Sequence, residues 1–204
     1  MMTAINKIKS SKGFSLLEVL ITLVITLVGL LGIAALQIKA QTLELESYQR
    51  AQALIILSDI VDKININRET VSCFEITTNT TSGTPYVGTA GSSHIGTPTC
   101  TAGTAAYNTQ AVAAINEIDD ILEGSAESLA GSDVGAMIGA RACISYDSST
   151  EISGTAGTGL YTVAISWQGM GDSFAPTINC ANNEYGAETK RRTVAVTTRI
   201  ANLN

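Results

Sequence analysis

Apolar residues fall into three regimes along this chain of 204 residues. From Phe14 to Leu36 they are nearly contiguous, interrupted by one charge, Glu18. Twenty-three residues at the helical rise span roughly 34 Å, the length of a membrane-crossing helix. From Gln37 the pattern turns amphipathic. Ile38, Leu45, Tyr48, Leu54, Ile55, Ile60, Val61 and Ile64 recur at spacings of three, four and seven. Lys39, Glu44, Glu46, Gln49, Arg50, Asp59, Asp62 and Lys63 fill the gaps, which predicts a helix with one buried stripe. No proline occurs before Pro85, so one helix is expected from about Phe14 to Asn65, near 80 Å long.

A second helical period covers 111–123, with Val112, Ile115, Ile118 and Leu122 on one face and Asn108 or Thr109 as the cap. Past Gly124 the period drops to two. Ala142 to Tyr146, Leu160 to Gln168 and Thr193 to Ile200 read as strands. Tyr161, Val163, Ile165 and Trp167 share one face; Val194, Val196, Thr198 and Ile200 share another. A small antiparallel sheet of three or four strands needs its apolar face covered, and the long helix offers a stripe. The expected fold class is α+β, the N-terminal helix packed on that sheet. The segment 77–110, rich in Thr, Ser and Gly, reads as a long surface excursion with short strand pieces. Asn79-Thr80-Thr81 matches a glycosylation sequon, a chance match in so threonine-rich a loop.

The formal charge is −6, and the segment before Phe14 holds Lys7, Lys9 and Lys12 with no acid. Without that segment the remainder carries −9, which argues against nucleic-acid binding. Lys190-Arg191-Arg192 reads as a solvated turn before a strand. Lysines on the N-terminal side of an apolar helix stay in the cytoplasm, which puts the residues after Leu36 on the other side of the membrane. Cys73, Cys100, Cys143 and Cys180 then lie where disulfides form. Four cysteines allow three connectivities. Pairing neighbours along the chain, Cys73–Cys100 and Cys143–Cys180, is favoured. No Cys-x-x-Cys occurs and the one histidine, His94, stands in the polar loop as a solvated residue, so neither zinc nor a Ser-His or Cys-His catalytic arrangement is expected. Glu117, Asp119, Asp120 and Glu123 read as a solvated face, and Trp167 as core. No cofactor is expected.

An acidic residue inside an apolar helix is costly, roughly 2.5–3.5 kcal/mol for a central one, and such residues usually have a function. The stretch Lys12-Gly13-Phe14-Ser15-Leu16-Leu17-Glu18 resembles the processing site of type IV pilins and of the pseudopilins of type II secretion. That resemblance implies cleavage by prepilin peptidase between Gly13 and Phe14, N-methylation of Phe14, and a role for Glu18 in subunit assembly, paired with the amine of a first residue. Unlike an ordinary secretory signal, the cut would precede the apolar core and leave it in the mature chain. It implies a type IV pilin-like layout: leader 1–13, membrane or filament-core helix 14–36, amphipathic half 37–66 and a head 67–204. Residues 29–37, Gly-Leu-Leu-Gly-Ile-Ala-Ala-Leu-Gln, are similar to the helix of PilV-type minor pilins. So are Tyr161–Gln168, the loop with Cys180, and Arg191-Arg192-Thr193-Val194 leading into the closing strand. The resemblance implies a subunit at the inner membrane and then in the pilus. Its implied partners are other minor pilins, the major pilin and a tip adhesin. The alternative is a minor pseudopilin, which often binds calcium in its C-terminal loop. The loop from Gly169 to Lys190 holds only Asp172, Glu184 and Glu188 as acids, which favours the pilus.

Overall fold

A computed structural model describes residues 13–125, 128–129, 132–133, 137–155 and 157–200. Lys7, Lys9 and Lys12 lie outside the described residues. Helix α1 runs from Leu16 to Ile66, 51 residues without a proline to break it. The Ser15 carbonyl accepts from the Glu18 and Val19 amides at 3.0 and 3.3 Å, opening the first turn. Compact units divide between Glu44 and Leu45. In the first, the helix is apolar on every side. Its most apolar window has mean hydropathy 2.8 and no buried residue, so it is long and apolar enough to cross a membrane. Thr22 and Thr26 donate back to helix carbonyls, Val19 O at 2.8 Å and Thr22 O at 2.6 Å. Their hydroxyls are thereby satisfied without water, as a hydrocarbon environment requires.

The second unit holds the rest of α1, a 3-10 segment Arg68–Phe74, and α2 over Ala105–Glu123. It also holds β1 (Val87–Gly88), the short hairpin β2 (Ser128–Leu129) and β3 (Ser132–Asp133), and β4 (Arg141–Asp147). β5 (Leu160–Gln168) and β6 (Arg191–Arg199) complete it. Four strands form an antiparallel sheet in the order β1-β4-β5-β6. Ile144 opposes Val163, and Val163 opposes Val196, so apolar residues line up across the sheet. One core joins Ala53, Leu57, Ile60 and Ile64 of α1 to Ala111, Ile115, Ile118 and Leu122 of α2. Ile144, Tyr161, Val163, Ile165, Trp167 and Val194 of the sheet close it. The α+β architecture expected from the periodicities is present.

Several details differ from the sequence reading. The buried stripe of α1 is Gln49, Ala53, Leu57, Ile60 and Ile64, whereas Ile38, Leu45, Tyr48, Leu54 and Ile55 are exposed. Spacings of four, four, three and four keep the buried set on one side; Tyr48, Leu54 and Ile55 point elsewhere, while Ile38 and Leu45 share that side but precede Gln49, the first buried position. α2 starts six residues earlier than predicted and is capped by Thr104, whose side chain accepts from the Tyr107 amide, rather than by Asn108 or Thr109. Its inner face uses Ala111 and Ala114, and Val112 is only half-buried. Gly124 ends it in the left-handed conformation at φ 98°, which glycine adopts without a Cβ clash. β4 and β6 are longer at their N-terminal ends than the alternation suggested, and β6 stops at Arg199.

The excursion after Phe74 is not merely surface. Thr77 donates its amide to Ile144 O and accepts from Ile144 N on its hydroxyl, at 2.8 and 3.1 Å, extending the sheet beyond β1. Tyr86 and Val87 are fully buried. Cys73 is bonded to Cys100, tying the 3-10 segment to the end of this excursion, and Cys143 of β4 is bonded to Cys180.

This packing sets two stability outcomes. Ile60→Ala lowers head stability by about 2–5 kcal/mol in chemical denaturation, and Ile55→Ala on the exposed side shifts it by under about 0.5 kcal/mol. Equal losses would mean that the buried stripe lies elsewhere. Replacing Cys143 and Cys180 together by alanine destabilises the head by about 2–5 kcal/mol, read as a lower denaturation midpoint.

Candidate functional site

The residues singled out near the N-terminus stand at the start of α1. Gly13, Phe14 and Ser15 precede the helix and Glu18 lies in its first turn. All are exposed, Phe14 to 85%. A Cβ added at Gly13 would meet no atom within 4 Å, and its backbone is not in the left-handed region. Nothing among the described residues therefore requires glycine at 13. Gly29 and Gly32 also face open space, which leaves the helix backbone approachable there. Among the described residues Glu18 has no cationic partner. An unpaired carboxylate at the edge of so apolar a segment needs a counter-charge, and the described chain does not supply one.

The second polar centre covers the outer face of the sheet. Two-residue alternation predicts a single buried face, yet Ala164 and Ser166 on the opposite face of β5 are as buried as their neighbours. The segment between β5 and β6 folds back over them with Cys180, Ala181 and Tyr185. Arg141 and Arg191 hold it in place. Arg141, 6% exposed, lies between the rings of Tyr86 and Tyr185 at 5.1 and 5.0 Å. It donates to Thr89 O at 3.0 Å and Ala90 O at 3.1 Å, and its guanidinium is 3.7 Å from Glu184. Arg191, 2% exposed, donates to Glu188 Oε2 and to Ile178 O, both at 2.7 Å. Tyr185 donates to Gly139 O at 3.0 Å and so accepts from the Ser166 hydroxyl at 2.9 Å. Burial pushes the Tyr185 phenol above its ordinary range, against the opposing effects of the Ser166 hydrogen bond and the Arg141 charge.

The basic triplet at the start of β6 is therefore not a solvated turn. Arg191 is interior, and Arg192 reaches across to Glu46 of α1 at 3.1 Å and to Gly171 O at 2.8 Å; Lys190 alone is exposed. His94 is not free either. Its Nδ1 accepts from the Gly96 amide at 3.1 Å, so Nε2 carries the proton and donates to Asp119 Oδ1 at 2.9 Å. Asp119 also accepts from the Gly88 amide, which clamps the excursion onto α2. With both ring nitrogens engaged, His94 is not positioned as a base for a nucleophile. Glu117 is exposed, as expected, and pairs with Lys63 at 2.9 Å.

The acids of the C-terminal segment are separately occupied. Asp172 accepts from Thr189, Glu188 pairs with Arg191, and Glu184 accepts from Ser92 at 2.7 Å. Among the described residues no three His, Cys, Asp or Glu side chains converge in a group able to hold a metal ion.

Comparison with known proteins adds one finding. The model of the prokaryotic N-terminal methylation motif matches residues 8–34. No curated protein and no solved structure matches the chain. The match begins ahead of Gly13, includes Phe14 and Glu18, and ends within the uncovered apolar part of α1. The chain thus carries, at the start of an exposed apolar helix, the N-terminal methylation motif found in type IV pilins and pseudopilins.

Proposed function

We propose that this chain is a minor pilin of a type IV pilus, a structural subunit that works by assembly rather than catalysis. The observation that carries the reading is the methylation motif at residues 8–34, running into a helix whose apolar surface none of the described residues covers. Prepilin peptidase cuts between Gly13 and Phe14 and methylates the new amine. A glycine that the fold does not need is accounted for by the peptidase, which must bring the backbone of Gly13 close to its own reactive groups. The helix then crosses the inner membrane once, with the head on the periplasmic side. On assembly Glu18 meets the cationic amine of a neighbouring Phe14, and the pair removes two charges that are each unfavourable alone in an apolar core. In this reading the chain joins other minor pilins to prime assembly of the major pilin and supports display of a tip adhesin.

A minor pseudopilin of type II secretion is the second reading. The occupancy of Asp172, Glu184 and Glu188 by three different partners speaks against it, because a calcium site needs several oxygens converging on one point. These residues do not fit such an ion.

The intact mass and first residue of the protein from its producing cells test the reading. A chain beginning at methylated Phe14 is expected; one beginning at Met1 or Met2 would overturn it. Glu18→Ala is expected to be cut normally yet to be lost from sheared filaments. Unchanged recovery of that variant would remove the pairing argument.

A further inference from the structure

β6 is the last strand of its sheet, and one of its two sides has no neighbouring strand. It pairs with β5 over nine residues in unbroken register, from Arg191 opposite Gln168 to Arg199 opposite Leu160. Just before it the Gly169 amide donates to Lys190 O at 2.8 Å. Hydrogen bonding alternates along an antiparallel strand, so Arg192, Val194, Val196 and Thr198 direct their amides and carbonyls at β5. Thr193, Ala195 and Thr197 direct theirs away from the sheet. Among the described residues none of these three amides and three carbonyls has a hydrogen-bond partner.

Folded proteins guard such an edge with shortness, proline, a bulge or outward charge. The opposite side of the sheet is guarded: β1 has two residues, and beyond it Thr77 engages both the amide and the carbonyl of Ile144. β6 is long, contains no proline and has no bulge against β5. Its arginines are engaged within the head. Arg191 is buried on Glu188 and Ile178 O, Arg192 reaches Glu46, and Arg199 donates to Thr150 O at 3.0 Å. Exposed Lys190 stands before the strand and not on it. Between the arginines run Thr193-Val194-Ala195-Val196-Thr197-Thr198, uncharged and almost all β-branched, residues that favour strand pairing.

We propose that β6 receives an extended segment of a second protein of the filament, which joins the sheet as a further strand beside Thr193, Ala195 and Thr197. The chemistry of the edge identifies the occupant. Amides and carbonyls repeating at every second residue, roughly 7 Å apart, are matched by extended polypeptide. Lipid has no such array, and a helix uses its backbone groups internally. The flanking side chains describe the segment that fits. Val194 and Val196 lie with the inner core, and Ala195 packs on the outer side between Thr193 and Thr197. A strand alternating apolar and small polar residues matches both faces. A second copy of this chain is not the occupant. One edge paired with itself is a two-fold contact that closes at two subunits, whereas a filament grows as an open series. That choice rests on the reading of the chain as a filament subunit.

The test compares residue-resolved hydrogen exchange in the full chain, purified singly in detergent and within sheared filaments from its producing cells. In the single chain the amides of Thr193, Ala195 and Thr197 are expected to exchange fast and those of Val194 and Val196 slowly. In filaments the first three are expected to slow by about tenfold or more, the effect of one added backbone hydrogen bond each. Fast exchange of the three in filaments would overturn the proposal. So would protection already present in the single chain, which would mean that the chain covers its own edge. Ala195→Pro removes an outward amide and no bond to β5, and Thr197→Lys supplies the outward charge that the edge lacks. Thr197→Lys is expected to keep the wild-type denaturation midpoint, and both variants to lose the filament-specific protection of the remaining outward amides. Undiminished protection in Thr197→Lys would count equally against the proposal. A photoreactive benzoylphenylalanine at position 197 identifies the neighbour. A joined peptide from a different protein is expected; links only to lipid or to a second copy would overturn it. The intact mass separates the two levels of argument. An uncut chain overturns the subunit reading and this proposal together. A cut, filament-borne chain whose three amides stay fast overturns this proposal alone.

Discussion

The rest of the structure depends on an apolar helix surface that none of the described residues covers. Residues such as Leu17, Leu20, Leu23, Leu27 and Leu31 are each more than half exposed. At about 25 cal/mol per Å² of apolar area, leaving such a segment in water is prohibitive for a protein of marginal stability. The surface must be covered by lipid or by other helices. A subunit of the proposed kind, moving from a bilayer into a filament, would use it twice. The head can be small because it need not cover this half of the helix.

The same helix supplies one wall of the head. Ala53, Leu57, Ile60 and Ile64 complete a core whose other walls are α2 and the inner face of the sheet. The outer face is closed by different means. There the C-terminal segment is held by two buried guanidinium groups, a disulfide and a phenol rather than by a second apolar layer. Each arginine is surrounded by backbone carbonyls and one carboxylate, which is what makes burial of a charge tolerable. Cys180, Ala181 and Tyr185 of this segment are buried with Ala164, while Phe174 stays outside the core.

Period and breaker signals made much of this legible in the sequence. The unbroken helix, the second helix and the three longer strands come from apolar spacing and the absence of proline before Pro85. The strand Leu160–Gln168 was readable to the residue because alternation and flanking glycines agree. What stayed hidden depends on partners distant in sequence. Nothing near Arg191 announces that the carbonyls of Pro176 and Ile178 will surround it. His94 and Asp119 are 25 residues apart and meet only because the excursion lies against α2. The true stripe of α1 was obscured because Tyr48, Leu54 and Ile55 are apolar yet exposed, while Gln49 is polar yet buried. That mismatch is itself informative: a helix apolar on more sides than its own core requires has further surfaces to cover. At the N-terminus the methylation motif was visible because it lies in one contiguous run of residues.

The transfer of such a helix from bilayer to filament poses an energetic question. Lipid tails are as apolar as leucine, so moving α1 between the two gains little from the hydrophobic effect. Selectivity for the filament has to come from groups that lipid cannot satisfy. In the proposed role the Glu18 carboxylate at one end of the segment, without a cationic partner among the described residues, is such a group. Gly29 and Gly32 add a second contribution, as their bare backbone lets helices approach closely where lipid packs loosely. Each feature is small, and they act at separate points along the subunit. In the proposed filament a polar pair and a close helix contact together hold a subunit in both axial register and rotation, which the smooth apolar surface of α1 could not specify by itself.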